Sequence, residues 1–100
     1  MERGGAVYIM ASKRNGTLYT GVTSDIKRRV WEHKTNVYKD SFTSQYKCHI
    51  LVYYCDFHRI EEAIAEEKRI KAGNRKAKLK LIEDLNPYWK DLWEEIKGWD

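Results

Sequence analysis

One hundred residues suffice for one domain with a real core, though with little margin. Charged residues make up 34% and aromatics 13%, with a single proline and no long apolar run, which excludes a disordered polymer and a helical membrane span. The net charge of +4 hides an asymmetry: residues 83–100 hold six acids against two lysines, a net of −4, so residues 1–82 carry +8.

The first five residues are polar and no apolar stretch of signal-peptide type follows them, so the expected address is the cytoplasm. Residues 6–11 and 17–22 are apolar, partly β-branched runs separated by Lys13-Arg14-Asn15-Gly16, whose Asn-Gly pair predicts an antiparallel hairpin. Alternation puts Val7 and Ile9 on one face and Tyr8 and Met10 on the other. Thr23 or Ser24 can cap a helix reaching about Val37. Residues 36–47 mix polar groups with Tyr38, Phe42 and Tyr46 and predict a loop. Residues 49–56 form a third strand, with a nearly continuous apolar middle that implies cover on both faces.

Cys48 and Cys55 are an odd number of residues apart along this run, so they point to opposite faces about 23 Å from each other. A disulfide needs Cα atoms about 6 Å apart, so a reducing compartment fits. His33, His49 and His58 show no zinc-ligand spacing with the cysteines or with one another.

A helix over residues 59–72 stops at Gly73-Asn74, and another covers 75–85. Asn86-Pro87 then reads as the start of a last helix, Tyr88 to about Lys97, acidic and rich in tryptophan. Its stripe of Trp89, Leu92, Trp93 and Ile96 predicts packing onto the domain. Between Lys68 and Lys80 there are seven basic residues and no acid, a pattern that suits either a solvated helix face or a polyanion surface.

Helical phase singles out two charged positions. With Ile26 as zero, Val30, Val37 and His33 cluster within about 40° of it and Arg29 lies about 60° away, whereas Arg28 looks outward. On the next helix Glu67 falls inside the stripe of Ile60, Ala63, Ile64 and Ile70, while Glu61, Glu62 and Glu66 lie at its margin or beyond. A charge aimed at the body of a small domain needs a partner. Arg29 and Glu67 are therefore either a structural ion pair or two parts of a phosphoryl-transfer site.

The ordered series Tyr8, Tyr19 with Gly21, Arg29, His33 and Glu67 resembles the signature of the GIY-YIG nuclease superfamily. Phe42-Thr43, the strand Leu51-Val52-Tyr53-Tyr54, Ala63-Ile64-Ala65, Leu81-Ile82-Glu83 and Asn86-Pro87 extend the likeness over nearly the whole chain, toward the small single-domain bacterial branch. The nuclease domain of the excision-repair incision subunit is similar to it. The first motif reads Val-Tyr-Ile rather than Gly-Ile-Tyr, and Lys78-Leu79 stands where many relatives carry an asparagine.

The resemblance implies an α+β fold, a three-stranded antiparallel sheet of hairpin plus third strand flanked by helices, forming one domain over residues 1–100. It implies hydrolysis of nucleic-acid phosphodiesters, DNA first, in repair or recombination. Glu67 would hold one Mg²⁺ or Mn²⁺; Tyr19, alone or with Tyr8, would take a proton from the attacking water. Arg29 would meet charge on the phosphate, and His33 would orient the nucleophile or a tyrosine. Phosphate-contact candidates are Lys27, Arg28, Lys34, Lys71, Arg75 and Lys78. No base-reading module is apparent, so targeting would come from substrate shape, single strands or a protein partner. A non-catalytic nucleic-acid-binding or adaptor domain of the same fold is the alternative.

Overall fold

In the computed structural model, which describes residues 4–39 and 41–99, β1 (Gly5–Ala11) runs down the middle of a three-stranded antiparallel sheet. It is flanked by β2 (Leu18–Thr23) and β3 (Ile50–Phe57) in the order β2-β1-β3. The hairpin forms where expected: Gly16 N donates to the Lys13 carbonyl at 2.9 Å. Asn15, at φ 59°, takes the left-handed position that asparagine tolerates better than most residues.

Every side chain of β1 from Ala6 to Ala11 is buried, because each face of the sheet is covered. Ala6, Tyr8 and Met10 pack with Ile26 and Val30 of α1 (Ile26–Lys34) and with Leu92 and Ile96 from the C-terminal segment. Val7, Ile9 and Ala11 pack with Ala63 and Ile70 of α3 (Ile60–Ala72), Ile82 of α4 (Arg75–Leu85) and Trp89. Cys48 and Cys55 fall in opposite layers and are free thiols. Among the described residues no helix is long and apolar enough to cross a membrane.

Four expectations need correction. The cap of α1 is Asp25, which accepts from Arg28 N at 3.2 Å, while Thr23 Oγ1 accepts from Asp25 N. Because α1 ends at Lys34, Val37 lies beyond the helix and is exposed. The loop over 36–47 contains a short helix, α2 (Phe42–Gln45), capped by Ser41. On α3 the buried positions are Ala63 and Ile70, and Ile64 is exposed, so the apolar stripe is narrower than the sequence suggests.

The largest departure is at the C-terminus, where among the described residues the only helix is α5 (Trp93–Ile96) and Trp89 takes φ 54°. Polar side chains there bond to β3 instead of supporting a helix ladder. Asn86 Nδ2 donates to the Val52 carbonyl at 3.2 Å, Leu51 N donates to Asp91 Oδ1 at 3.1 Å, and Leu92 N donates to the Leu51 carbonyl at 2.7 Å. Trp89 then enters one apolar layer, and Leu92 and Ile96 enter the other. The segment thus wraps the outer edge of β3 and covers backbone groups that would otherwise be open to another strand. At the opposite edge, β2, lies a groove.

Candidate active site

Tyr8 is 1% exposed at the centre of the sheet, directly across from Gly21 of β2. A Cβ at position 21 would sit 2.5 Å from both Cζ and Oη of Tyr8. Glycine is therefore required in Tyr19-Thr20-Gly21 by the close approach of the Tyr8 ring. The Tyr8 hydroxyl lies 2.8 Å from His33 Nε2, and His33 Nδ1 lies 2.7 Å from Thr43 Oγ1. Thr43 Oγ1 is in turn 3.2 Å from Ser41 Oγ. Three segments, β1, α1 and the start of α2, thus close a buried polar chain.

The Tyr8 hydroxyl faces Arg29 and Tyr19 as well as His33, and its oxygen can accept while its proton goes to a neighbour, so either tautomer of His33 satisfies both of its bonds. Burial, with Tyr19 adding to it, pushes the Tyr8 phenol far above its ordinary range, although Arg29 pulls the other way. Burial and the nearby Arg29 charge lower His33 to about 4, so its imidazole is neutral at physiological pH.

Arg29 faces inward as its helical phase predicts, but its carboxylate partner is Glu32 at 3.1 Å rather than Glu67. Its guanidinium also sits 5.5 Å from the centre of the Tyr38 ring. Tyr19, partly exposed on β2, packs its ring 5.3 Å from His33, 6.3 Å from Tyr8 and 5.9 Å from Phe42. It also lines a groove of about 270 Å³ along the free edge of β2, together with Leu18, Thr20, Phe42, Lys71 and Lys78.

Glu67 comes from the other face of the sheet. Its side chain is 14% exposed on α3 and pairs with Lys71 Nζ at 3.0 Å. The structure therefore gathers Tyr8, Tyr19, Arg29 and His33 into one cluster, and it sets the Glu67–Lys71 pair beside the groove that Tyr19 shares. Arg29 and Glu67 do not form the structural ion pair that the sequence left open, since each has its own partner.

The six candidate phosphate contacts divide. Lys71 and Lys78 line the groove. Lys34 instead pairs with Asp91 and donates to the His49 carbonyl, and Arg75 donates to the carbonyls of Asn15 and Gly16 at the hairpin tip. Those two hold the fold together. Lys27 and Arg28 border a separate pocket on α1. Thr43 is the site residue that the sequence did not single out; its only signal was its place in the Phe42-Thr43 pair within an otherwise featureless loop.

Among the described residues no three His, Cys, Asp or Glu side chains cluster as a metal cage. Glu67 alone is a donor set suited to Mg²⁺ or Mn²⁺, ions that keep several waters and take one or two carboxylates with substrate phosphates.

Residues 4–80 match the model of the GIY-YIG catalytic domain. The chain belongs to the GIY-YIG family. It is 37% identical over 78 residues to a UPF0213 protein of Staphylococcus saprophyticus, a match covering 78% of this chain and 93% of that protein. A UPF0213 protein of Staphylococcus haemolyticus is 38% identical over 79 residues, with the same coverage of each chain. The solution NMR structure of a UPF0213 protein from Bacillus halodurans superposes with a TM-score of 0.56 at 25% identity, over 95% of this chain and 99% of that one. This GIY-YIG domain thus has the α+β sheet and helices expected of it, within a group of small relatives.

Proposed function

We propose that this GIY-YIG domain is a metal-dependent endonuclease that hydrolyses nucleic-acid phosphodiester bonds, with DNA as the first substrate to test and repair or recombination as its setting. The observation that supports this is the position of Tyr19: its ring packs on the Tyr8–His33 cluster while lining a groove with Lys71, the partner of Glu67. The Tyr19 phenol lines that groove, the Glu67 carboxylate stands behind it through Lys71, and the Arg29 guanidinium faces the two phenols.

The two tyrosines have different parts in this mechanism. Tyr8 is buried, hydrogen-bonded to His33 and a very weak acid, so at neutral pH it stays a neutral phenol and is a poor acceptor for a proton from water. Tyr19 is the phenol that reaches the groove, and it takes that proton. Arg29, facing both phenols, meets negative charge growing on the phosphate. Lys71 and Lys78 hold flanking phosphates. A divalent ion on Glu67 supplies Lewis-acid charge at the phosphate when bound.

The test is cleavage of single-stranded, duplex and branched DNA, and of RNA, with and without Mg²⁺ or Mn²⁺, alongside Glu67→Gln and Arg29→Ala. Metal-dependent cleavage that both variants lose, by about 100-fold or more, while their circular dichroism is unchanged, is the expected result. Equal cleavage by Glu67→Gln overturns the proposal. One observation favours a second reading, a non-catalytic nucleic-acid-binding adaptor: the Glu67 carboxylate is neutralised by Lys71. Tight binding of DNA without cleavage of any substrate selects it.

A further inference from the structure

On the far side of α1 from the β2 groove, Asp25, Lys27, Arg28, Trp31 and Trp93 line an open pocket of about 390 Å³. Trp31 is 51% exposed, although its neighbours on the helix surface are charged or polar. Trp93 is partly buried against the core and forms a fixed wall. We propose that this pocket binds a nucleotide of a single-stranded nucleic acid, its base against the indoles and its phosphate on Arg28 and Lys27.

The chemistry favours this occupant. Indole faces accept any base, and adjacent cations track the backbone, the combination used by single-strand binders. Arg28 has its side chain 76% exposed and makes one ion-pair contact, Nε to Glu32 at 3.4 Å, so most of its five donors face solvent. Lys27 Nζ gives one hydrogen bond to the Trp99 carbonyl and retains two. The pocket's carboxylate, Asp25, is occupied capping α1, and the nearby acids Glu94 and Glu95 bond to Lys97 and Tyr54. A protein partner would find the exposed Trp31 indole among charges, and the Trp99 indole set against the Tyr54 ring, rather than a continuous apolar patch. Arg28 also directly precedes Arg29, so α1 offers cations on two of its sides to one strand. This last point rests on the nuclease proposal; the pocket chemistry does not.

The test is equilibrium binding in EDTA, where no cleavage occurs, to a 12-nucleotide oligothymidylate, a 12-base-pair blunt duplex and a polyglutamate peptide, with tryptophan fluorescence as a second readout. Trp31→Ala is expected to weaken oligothymidylate binding about tenfold, in line with the stacking contribution of one base. Duplex binding should change less than about twofold, because stacked bases offer no free face to the indole. Trp31→Phe should restore most of the loss, and quenching by a fixed concentration of the oligonucleotide should fall in Trp31→Ala. Unchanged oligothymidylate affinity in Trp31→Ala, an equal loss for duplex, or polyglutamate binding with the same dependence on Trp31 overturns the inference. A protein that binds in this way yet cleaves nothing would sink only the nuclease proposal; one that cleaves but ignores Trp31 would sink only this one.

Discussion

The two halves of the candidate site are built to different standards. The Tyr8–His33–Thr43 chain is drawn from three segments, buried, and closed by hydrogen bonds of 2.8 and 2.7 Å. The Glu67–Lys71 pair is a local contact one helical turn long, and its lysine is half exposed in an open groove. Burial and hydrogen bonds from three segments hold the groups of the first half in one arrangement. The second half can exchange partners, because only a single ion pair must be broken for Glu67 to meet another cation. A phosphoryl-transfer site needs both: fixed donors aimed at the phosphate, and a carboxylate that can be loaded.

The most damaging way to break the rigid half is through Gly21. Gly21→Ala places a methyl group 2.5 Å from the Tyr8 ring in a fully packed layer. We expect a loss of about 2–3 kcal/mol, read as a lower urea midpoint, together with a changed Tyr8 environment by NMR. A stability change under about 0.5 kcal/mol would mean that the sheet yields there.

Acid attacks the same half, nearly as strongly. His33 is held neutral with a pKa of about 4 against 6.5 for a free histidine, so between those values the unfolded chain binds the extra proton. Stability should be level above pH 6.5 and fall as the pH drops toward 4, by on the order of 2–3 kcal/mol from this residue. Urea denaturation across that range should show the slope, and His33→Asn should flatten it. A slope that survives His33→Asn intact would assign the effect elsewhere.

How much of this was legible in the sequence follows from what each element depends on. Strands, α3 and α4 were readable because local periodicity and turn residues decide them: Asn15-Gly16 and Gly73-Asn74 mark boundaries that tertiary packing leaves alone. Arg29, His33 and Glu67 stood out through phase, since a polar residue inside an apolar stripe is a local anomaly. The C-terminal helix failed because Asn86 and Asp91 bond to a strand some forty residues earlier, a contact that no local pattern records. The contacts of Lys34 and Arg75 were hidden for the same reason: a basic side chain looks free until its distant carbonyls and carboxylate are known. Thr43 was invisible because its importance lies wholly in a bond to His33, ten residues back.

Thr43 offers a gentler break in the rigid half. Thr43→Val keeps the shape but removes the hydroxyl bonded to His33 Nδ1, leaving a buried polar group unpaired. The expected cost is about 1–2 kcal/mol, with Thr43→Ser close to the parent. The sharper readout is the ¹⁵N shift of the His33 ring, whose tautomer ratio should change in Thr43→Val. An Nδ1–H tautomer in the parent means that Tyr8 donates to His33, and an Nε2–H tautomer makes the Tyr8 oxygen the acceptor and returns Tyr8 to contention as the proton acceptor.

Lys71 tests the adaptable half, where the effect on folding should be smallest. Its ammonium is half exposed, and pairs of this kind on a helix surface contribute about 0.3–0.5 kcal/mol. Lys71→Ala should therefore leave the urea midpoint almost unchanged. Its effect on ligands should be larger and of two opposite signs. Removing the cation frees the Glu67 carboxylate, so Mn²⁺ binding followed by water-proton relaxation should tighten several-fold, with Glu67→Gln as the control that abolishes it. Nucleic-acid affinity should fall, and its salt dependence should lose about one phosphate's worth of slope. If Mn²⁺ binding weakened instead, the lysine would be organising the carboxylate rather than competing for it, and the contrast between a fixed half and an exchangeable half would collapse into one rigid site.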